Sequence, residues 1–336
     1  VDRITSLPKV ELHLHIEGTL EPELIFELAS RAGTPLPDAD LEALRARYHF
    51  DDLQSFLDLY YENMAVLRTA DDFAELAYAY AIRAASGGVV HAEVFFDPQA
   101  HLTRGVALEA VVSGLRAGFE RAEIETGFTA SLIACFLRDR PESEAMEVLE
   151  ALLAIDPPIL GVGLDSAEVG NPAFRFRAVF DRAAEAGLHR VAHAGEEGGP
   201  DSVEDALDSL HAERIDHGIR SREDPELLAR LTAQRIPLTV CPLSNVALKA
   251  VTSIDAHPLP QLLEAGVLVT INSDDPAYFG GYAADNFAAV TEAFDLDDAT
   301  LALLARNSVS ASFLSESRKA ELSSRVDAWL VQDPKS

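Results

Sequence analysis

The chain has 336 residues, 48% of them hydrophobic and 25% charged, which places it among globular proteins. Its 27 basic and 56 acidic residues leave a net charge of −29, and a surface that acidic repels phosphate backbones, so nucleic acid and membrane are not expected partners. No apolar run reaches the roughly 18 residues needed to cross a bilayer, and no charged-then-apolar leader opens the sequence; the expectation is a cytoplasmic protein in which Cys135 and Cys241 are reduced, buried thiols.

The first pattern is at Val10 to Glu17. Val10, Leu12, Leu14 and Ile16 alternate with Glu11, His13, His15 and Glu17, the period of an extended strand. His13 and His15 therefore leave one face, where two imidazoles make half of a tetrahedral metal site or, alternatively, are two separately satisfied histidines. Helical stretches follow at Leu20 to Ala32, Leu53 to Leu67 and Phe73 to Ala85, with Asp71 or Asp72 as N-cap of the last.

A regular rhythm then sets in. Apolar, β-rich runs at Val89–Phe96, Phe128–Leu137, Ile159–Leu164, Leu188–Ala192, Arg214–Asp216, Ile236–Cys241 and Val267–Asn272 alternate with helical patterns. The helical patterns are Val106–Glu125, Pro141–Ala154, Ala173–Ala186, Asp201–Leu210, Pro225–Ala233 and Pro258–Ala265. Further helices are expected at Asn286–Phe294, Asp298–Leu304, Ser308–Leu314 and Ala320–Leu330. Eight strands with helices between them predict an α/β fold, a (β/α)₈ TIM barrel with extra helices after the first strand and at the C-terminus. A doubly wound sheet is the alternative, but no G-x-G-x-x-G turn follows the first strand. The whole of 1–336 is expected to form one barrel domain.

In a barrel the strand C-terminal ends share one rim, and polar residues recur there: His13, His15 and Glu17; Asp97; Arg138; Asp165 and Glu168; His193 and Glu196; His217; Ser244 and Asn245; Asp274 and Asp275. Four of the ten histidines fall on three of these ends, so the rim as a whole favours a metal centre over isolated polar residues. His13, His15, His193 and Asp274 make an N₃O zinc set with one position left for water. His91-Ala92-Glu93 has the H-x-E shape of small zinc deaminases, but it lacks a P-C-x-x-C partner and is expected to be ordinary strand, as Glu197 is expected to be surface charge.

HLHIEG, HAGE, RIDHG, CPLSN and NSDDP, in this order, resemble the adenosine/adenine deaminases of the amidohydrolase superfamily over nearly the whole chain, from Leu7 to about Ser308. The resemblance implies one zinc per chain on His13, His15, His193 and Asp274, Glu196 as proton donor to purine N1, His217 beside the attacking water, and Asp275 on N7. No lysine stands at the fourth strand end, so the second metal of many relatives is not expected. Where adenosine deaminases carry Leu-Asp-Gly this chain has Ile16-Glu17-Gly18, and where they carry a glycine it has Glu168. Both changes, with Phe95-Phe96-Asp97-Pro98-Gln99, resemble bacterial and fungal adenine deaminases. They imply that Glu17 and Glu168 lie at the substrate, Glu168 near N3 and N9–H of the free base, in a purine-salvage enzyme that converts adenine to hypoxanthine and ammonia. The alternatives are adenosine or another 6-aminopurine such as an N6-substituted adenine; further away stand a barrel metallohydrolase that cleaves a phosphoester or lactone and a non-catalytic binding protein. Assembly into a homo-oligomer is left open.

Overall fold

A computed structural model describes residues 3–155 and 159–332. Eight parallel strands run in the order β1 to β8: Lys9–Glu11, Val89–Phe96, Thr129–Leu137, Gly161–Asp165, His189–Ala194, Arg214–His217, Leu238–Val240 and Val269–Ile271. The seam between β8 and β1 closes through the backbone, with Asp274 N–H donating to His13 O at 3.1 Å and His15 N–H to Asp274 O at 3.0 Å. Glu11 adds a side-chain latch: its Oε1 accepts from the Ser273 amide at 3.1 Å and hydroxyl at 2.5 Å, and its Oε2 accepts from the Tyr80 hydroxyl at 2.7 Å. The expected (β/α)₈ barrel is therefore the observed one.

Four α-helices, Pro22–Ala32, Leu41–Arg45, Leu53–Asn63 and Ala70–Ser86, fill the first connection, and Pro276–Phe279, Ala283–Phe294, Asp298–Ala311 and Glu316–Val331 follow β8. Three details differ from the sequence reading. The first strand ends at Glu11 and resumes only as isolated bridges at Leu14 and His15, because its rim end bends to bring both histidines inward. Asp298–Leu304 and Ser308–Leu314 are largely one helix, since nothing between them breaks the pattern. The cap of Ala70–Ser86 is Thr69, with Asp72 returning the hydrogen bond as its capping-box partner.

Residues on both faces of each strand are buried, one against helices and one inside the barrel. The interior carries charge. Arg214 Nη1 donates to Glu93 Oε2 at 2.6 Å and Nη2 to Leu12 O at 3.2 Å, both side chains being fully enclosed. Glu93 is thus a partner of the barrel's internal cation, and His91, facing Thr129 Oγ1 at 2.7 Å, stays in the strand away from the rim. Removing one member of such a pair strands the other in a dry interior. Arg214→Ala is expected to lower unfolding free energy by about 3–5 kcal/mol, measured by urea denaturation at fixed metal concentration; a change below about 1 kcal/mol would show that water reaches the pair.

Candidate active site

The bend after β1, the strand end of β5 and the turn after β8 bring four side-chain atoms together. His15 Nε2 lies 3.1 Å from His193 Nε2 and 3.5 Å from Asp274 Oδ1, which is 3.2 Å from His13 Nε2. Four ligands about 2.0–2.1 Å from one tetrahedral ion stand about 3.3 Å apart, so these edges match a metal. His13 Nε2 is buried without a hydrogen-bond partner, as a nitrogen aimed at an ion would be. The opposite ring nitrogens face groups that orient them. His13 Nδ1 contacts Thr239 O at 3.1 Å, His15 Nδ1 lies 3.6 Å from Asp165 Oδ2, and His193 Nδ1 lies 3.7 Å from Asp216 Oδ2. Cys241 also stands nearby, but burial holds its thiol protonated and Sγ points to Thr239 O at 3.8 Å. The residues brought together are able to bind a metal; the same four had been expected to do so.

Asp274 and His217 hold left-handed backbone, at φ 65° and 62°, a conformation that non-glycine residues adopt at a cost and that functional turns retain. Asp274 Oδ2 accepts from Ser244 Oγ at 2.6 Å and lies 3.7 Å from His217 Nε2. His217 Nε2 is also 3.4 Å from Glu196 Oε2. A chain of donors fixes which ring nitrogen of His217 carries hydrogen. The Leu259 amide donates to His257 Nδ1 at 3.1 Å, so His257 Nε2–H donates to Asn245 Oδ1 at 3.2 Å. The Asn245 amide group then donates to His217 Nδ1 and Glu196 Oε1, both at 3.2 Å. His217, whose pKa burial and the neighbouring His13 push down to about 3, is a neutral ring with its hydrogen on Nε2. Neither Asn245 nor His257 was singled out as functional from sequence, although Asn245 stands in the quoted CPLSN run.

Burial, followed by the charges of Asp274 and Glu168, raises the Glu196 pKa well above its ordinary value, which favours the protonated carboxyl. Asp275 is raised the same way, by burial and then by Asp274, and its Oδ1 is buried without a partner. Gly18 makes room for it, because a Cβ there would overlap the Asp275 carboxyl. The helix Leu53–Asn63 lays Phe56, Leu57, Tyr60 and Tyr61 over the resulting cavity, which Glu196, His217, Asp274 and Asp275 line from below.

Glu17 and Glu168 depart from the expectation of direct ligand contact. Glu17 does not line the cavity; its Oε1 accepts from the Asp97 amide at 3.1 Å and from His101 Nε2 at 2.6 Å. Glu168 does stand at the cavity wall, but its oxygens are taken. Oε1 accepts from the Gly195 amide at 2.7 Å and the Ser202 hydroxyl; Oε2 accepts from the amides of Glu196, Glu197 and Gly198 at 3.2, 2.9 and 2.9 Å. With these lone pairs used, the carboxylate clamps the loop that presents Glu196. Glu197, expected at the surface, is half-buried and accepts from the Glu168 amide at 3.1 Å. The reason sequence pointed elsewhere is physical: bulk and charge at the rim are legible, but the direction of a carboxylate depends on how the adjacent loop closes.

Comparison with known proteins agrees with this geometry. A family model described as adenosine deaminase matches residues 8–329. The chain is 58% identical to an adenine deaminase of Streptomyces coelicolor, over 98% of this chain and 97% of that one. It is 56% identical to an adenine deaminase of Rhodospirillum rubrum, over 96% and 97% respectively. Among solved structures, adenine deaminase from Arthrobacter aurescens superposes with a TM-score of 0.96 at 56% identity, covering 97% of this chain and 100% of that one. A zinc-bound amidohydrolase from B. ambifaria superposes at 0.89 with 26% identity, covering 98% and 94%.

The clamp has a measurable consequence. Glu168→Gln replaces one acceptor oxygen with an NH₂ facing backbone N–H groups. It is expected to lower kcat about 10–100-fold while changing KM less, because misplacing a reacting group costs rate before binding. Steady-state kinetics checks it, and an unchanged kcat would show that the loop holds itself.

Proposed function

The chain belongs to the adenosine deaminase family, and we propose that its own reaction is the zinc-dependent hydrolysis of adenine to hypoxanthine and ammonia. It is a hydrolytic deaminase acting on C–N bonds, as family and relatives establish. The single observation that carries the chemistry is the convergence of His13, His15, His193 and Asp274 beside Glu196, a buried carboxyl whose pKa is raised. Adenine as substrate is supported by relatives of that name at 51–58% identity over nearly the whole chain. Zinc is supported by the donor set and by the ion in the 26% identical neighbour. On this reading 1–336 works as one catalytic unit, taking a free purine base in a salvage role.

A ring carbon bearing an amine is a poor electrophile, and neutral water is a poor nucleophile. When bound, zinc supplies Lewis acidity and lowers the pKa of water to about 7. Everything else falls to the side chains. Glu196 donates its proton to N1, which draws electron density from C6 as water adds there. Asp274 Oδ2, turned away from the other three ligands, accepts the water proton. His217 Nε2–H donates to the oxygen that develops charge, so its role is stabilisation by a fixed donor, with Asn245 and His257 holding the ring. Asp275, kept neutral, donates to N7. Collapse of the tetrahedral adduct sends the proton on Asp274 out with the amine as ammonia, while the C6 hydroxyl proton returns to Glu196.

Glu196 acts as an acid, and its folded pKa is raised; activity is therefore present below that pKa and lost as pH rises through it. Glu196→Gln is expected to lower kcat by about 10²–10⁴-fold and to remove this alkaline limb from the kcat/KM profile. A variant with near-normal rate would mean that N1 is not protonated by this residue. The substrate is tested by ammonia release from adenine, N6-methyladenine, adenosine and deoxyadenosine; adenine should dominate, and a preference for a nucleoside would overturn the assignment.

A further inference from the structure

Resting on the reading of a purine with C6 at the four-donor set, N1 at Glu196 and N7 at Asp275, one edge of the base has no partner assigned. That edge carries N3 and N9. With Glu168 spent on backbone amides, the remaining polar wall of the cavity consists of Asp97 at the end of β2 and Asp165 and Ser166 at the end of β4. An oxygen of Asp97 and one of Asp165 lie within 4.8 Å of each other and of a ring nitrogen of His15. Their other interactions are few. Tyr60 Oη donates to Asp97 Oδ2 at a long 3.4 Å, and His15 Nδ1 lies 3.6 Å from Asp165 Oδ2. Asp97 is 2% exposed and Asp165 3%, and Oδ1 of each is buried without a donor among the described residues. Two carboxyls offer about eight lone-pair sites, so acceptor capacity is left over in a place where unsatisfied polar atoms are costly.

We propose that Asp97, braced by Asp165, is the specificity-determining residue for the free base, accepting the N9–H of adenine. An unsubstituted purine brings the missing donor to this wall. A nucleoside brings a sugar carbon instead, which leaves the buried carboxyls unpaired and sets the ribose against Asp97. Glu17 supports the arrangement from behind, because its Oε1 accepts the Asp97 amide and His101 Nε2 together and so fixes where β2 ends. The bulk and charge that distinguish this rim from an adenosine site thus act through Asp97, with Glu17 as a positioning residue.

The test compares kcat/KM for adenine and 9-methyladenine in the wild type, Asp97→Ala and Asp97→Asn, with metal content measured on each. A site built around a donor rejects an analogue lacking it by about 10⁴–10⁵-fold, and the wild type should show discrimination of that order. Asp97→Ala should cut the adenine to 9-methyladenine ratio by at least about 100-fold while retaining one metal atom per chain, and Asp97→Asn, which keeps a carbonyl acceptor, should recover most of the ratio. A merely structural lesion lowers both substrates together, so a reduced rate with an unchanged ratio overturns the proposal. A second metal atom in the wild type also overturns it, since His15, Asp97 and Asp165 would then be ligands. If the wild type releases no ammonia from adenine, the functional reading fails and this inference with it; if it does and the ratio ignores Asp97, only the inference fails.

Discussion

The rim of the barrel depends on one constraint: three imidazole nitrogens and a carboxylate oxygen, all buried, lie within 4.8 Å of one another, three of their separations being 3.1–3.5 Å. Left to themselves, such groups would be unpaired or would repel, and the interior offers no water to relieve them. An ion at their centre resolves the problem, and the surrounding structure is arranged accordingly. Thr239 bonds the outward nitrogen of His13, Asp165 and Asp216 stand 3.6 and 3.7 Å from those of His15 and His193, and Ser244 holds the free oxygen of Asp274. Arg214 carries the same logic down the barrel, lying 3.9 Å from Asp216 Oδ1 while it pairs with Glu93. The internal ion pair, unusual for a hydrophobic core, is therefore also continuous with the groups that orient the site.

A second feature is the sorting of carboxyls by environment. Asp274 is held well below the usual range because the adjoining His13 imidazole outweighs the cost of its burial. Glu168 is lowered despite its burial, by Ser202 and the backbone amides it clamps, with Arg138 nearby. Glu196 and Asp275 go up, through burial first and the charge of Asp274 second. Asp165 is pushed up to about 7, burial again being the main cause. One small volume thus contains anions that hold and acids that donate, and the difference lies in which carboxyls receive hydrogen bonds.

Much of this was readable in the residues. Val89–Phe96 is the observed second strand to the residue, and each of the eight strands lies where an apolar run meets a polar end. The site was legible because a parallel barrel collects strand ends, so sequence order alone placed His13, His15, His193, His217 and Asp274 on one rim. What was not legible depends on contacts with no local pattern. The bend that truncates β1 at Glu11 is imposed by the seam to Asp274, far along the chain. His257 reaches His217 only through Asn245, across three separate elements. Glu168 and Glu17 were recognised as unusual for an adenosine site, yet the partners that occupy them, the Gly195–Gly198 amides and His101, could be identified only once the loops had closed.

X-ray diffraction from crystals of the purified enzyme, collected on both sides of the zinc absorption edge, tests most directly whether the four-donor set holds the single zinc ion we propose. One anomalous peak per chain is expected, about 2.0–2.1 Å from the Nε2 atoms of His13, His15 and His193 and from Asp274 Oδ1. A peak at another place, two peaks in the cavity, or a catalytically active crystal with no metal at this set would contradict it.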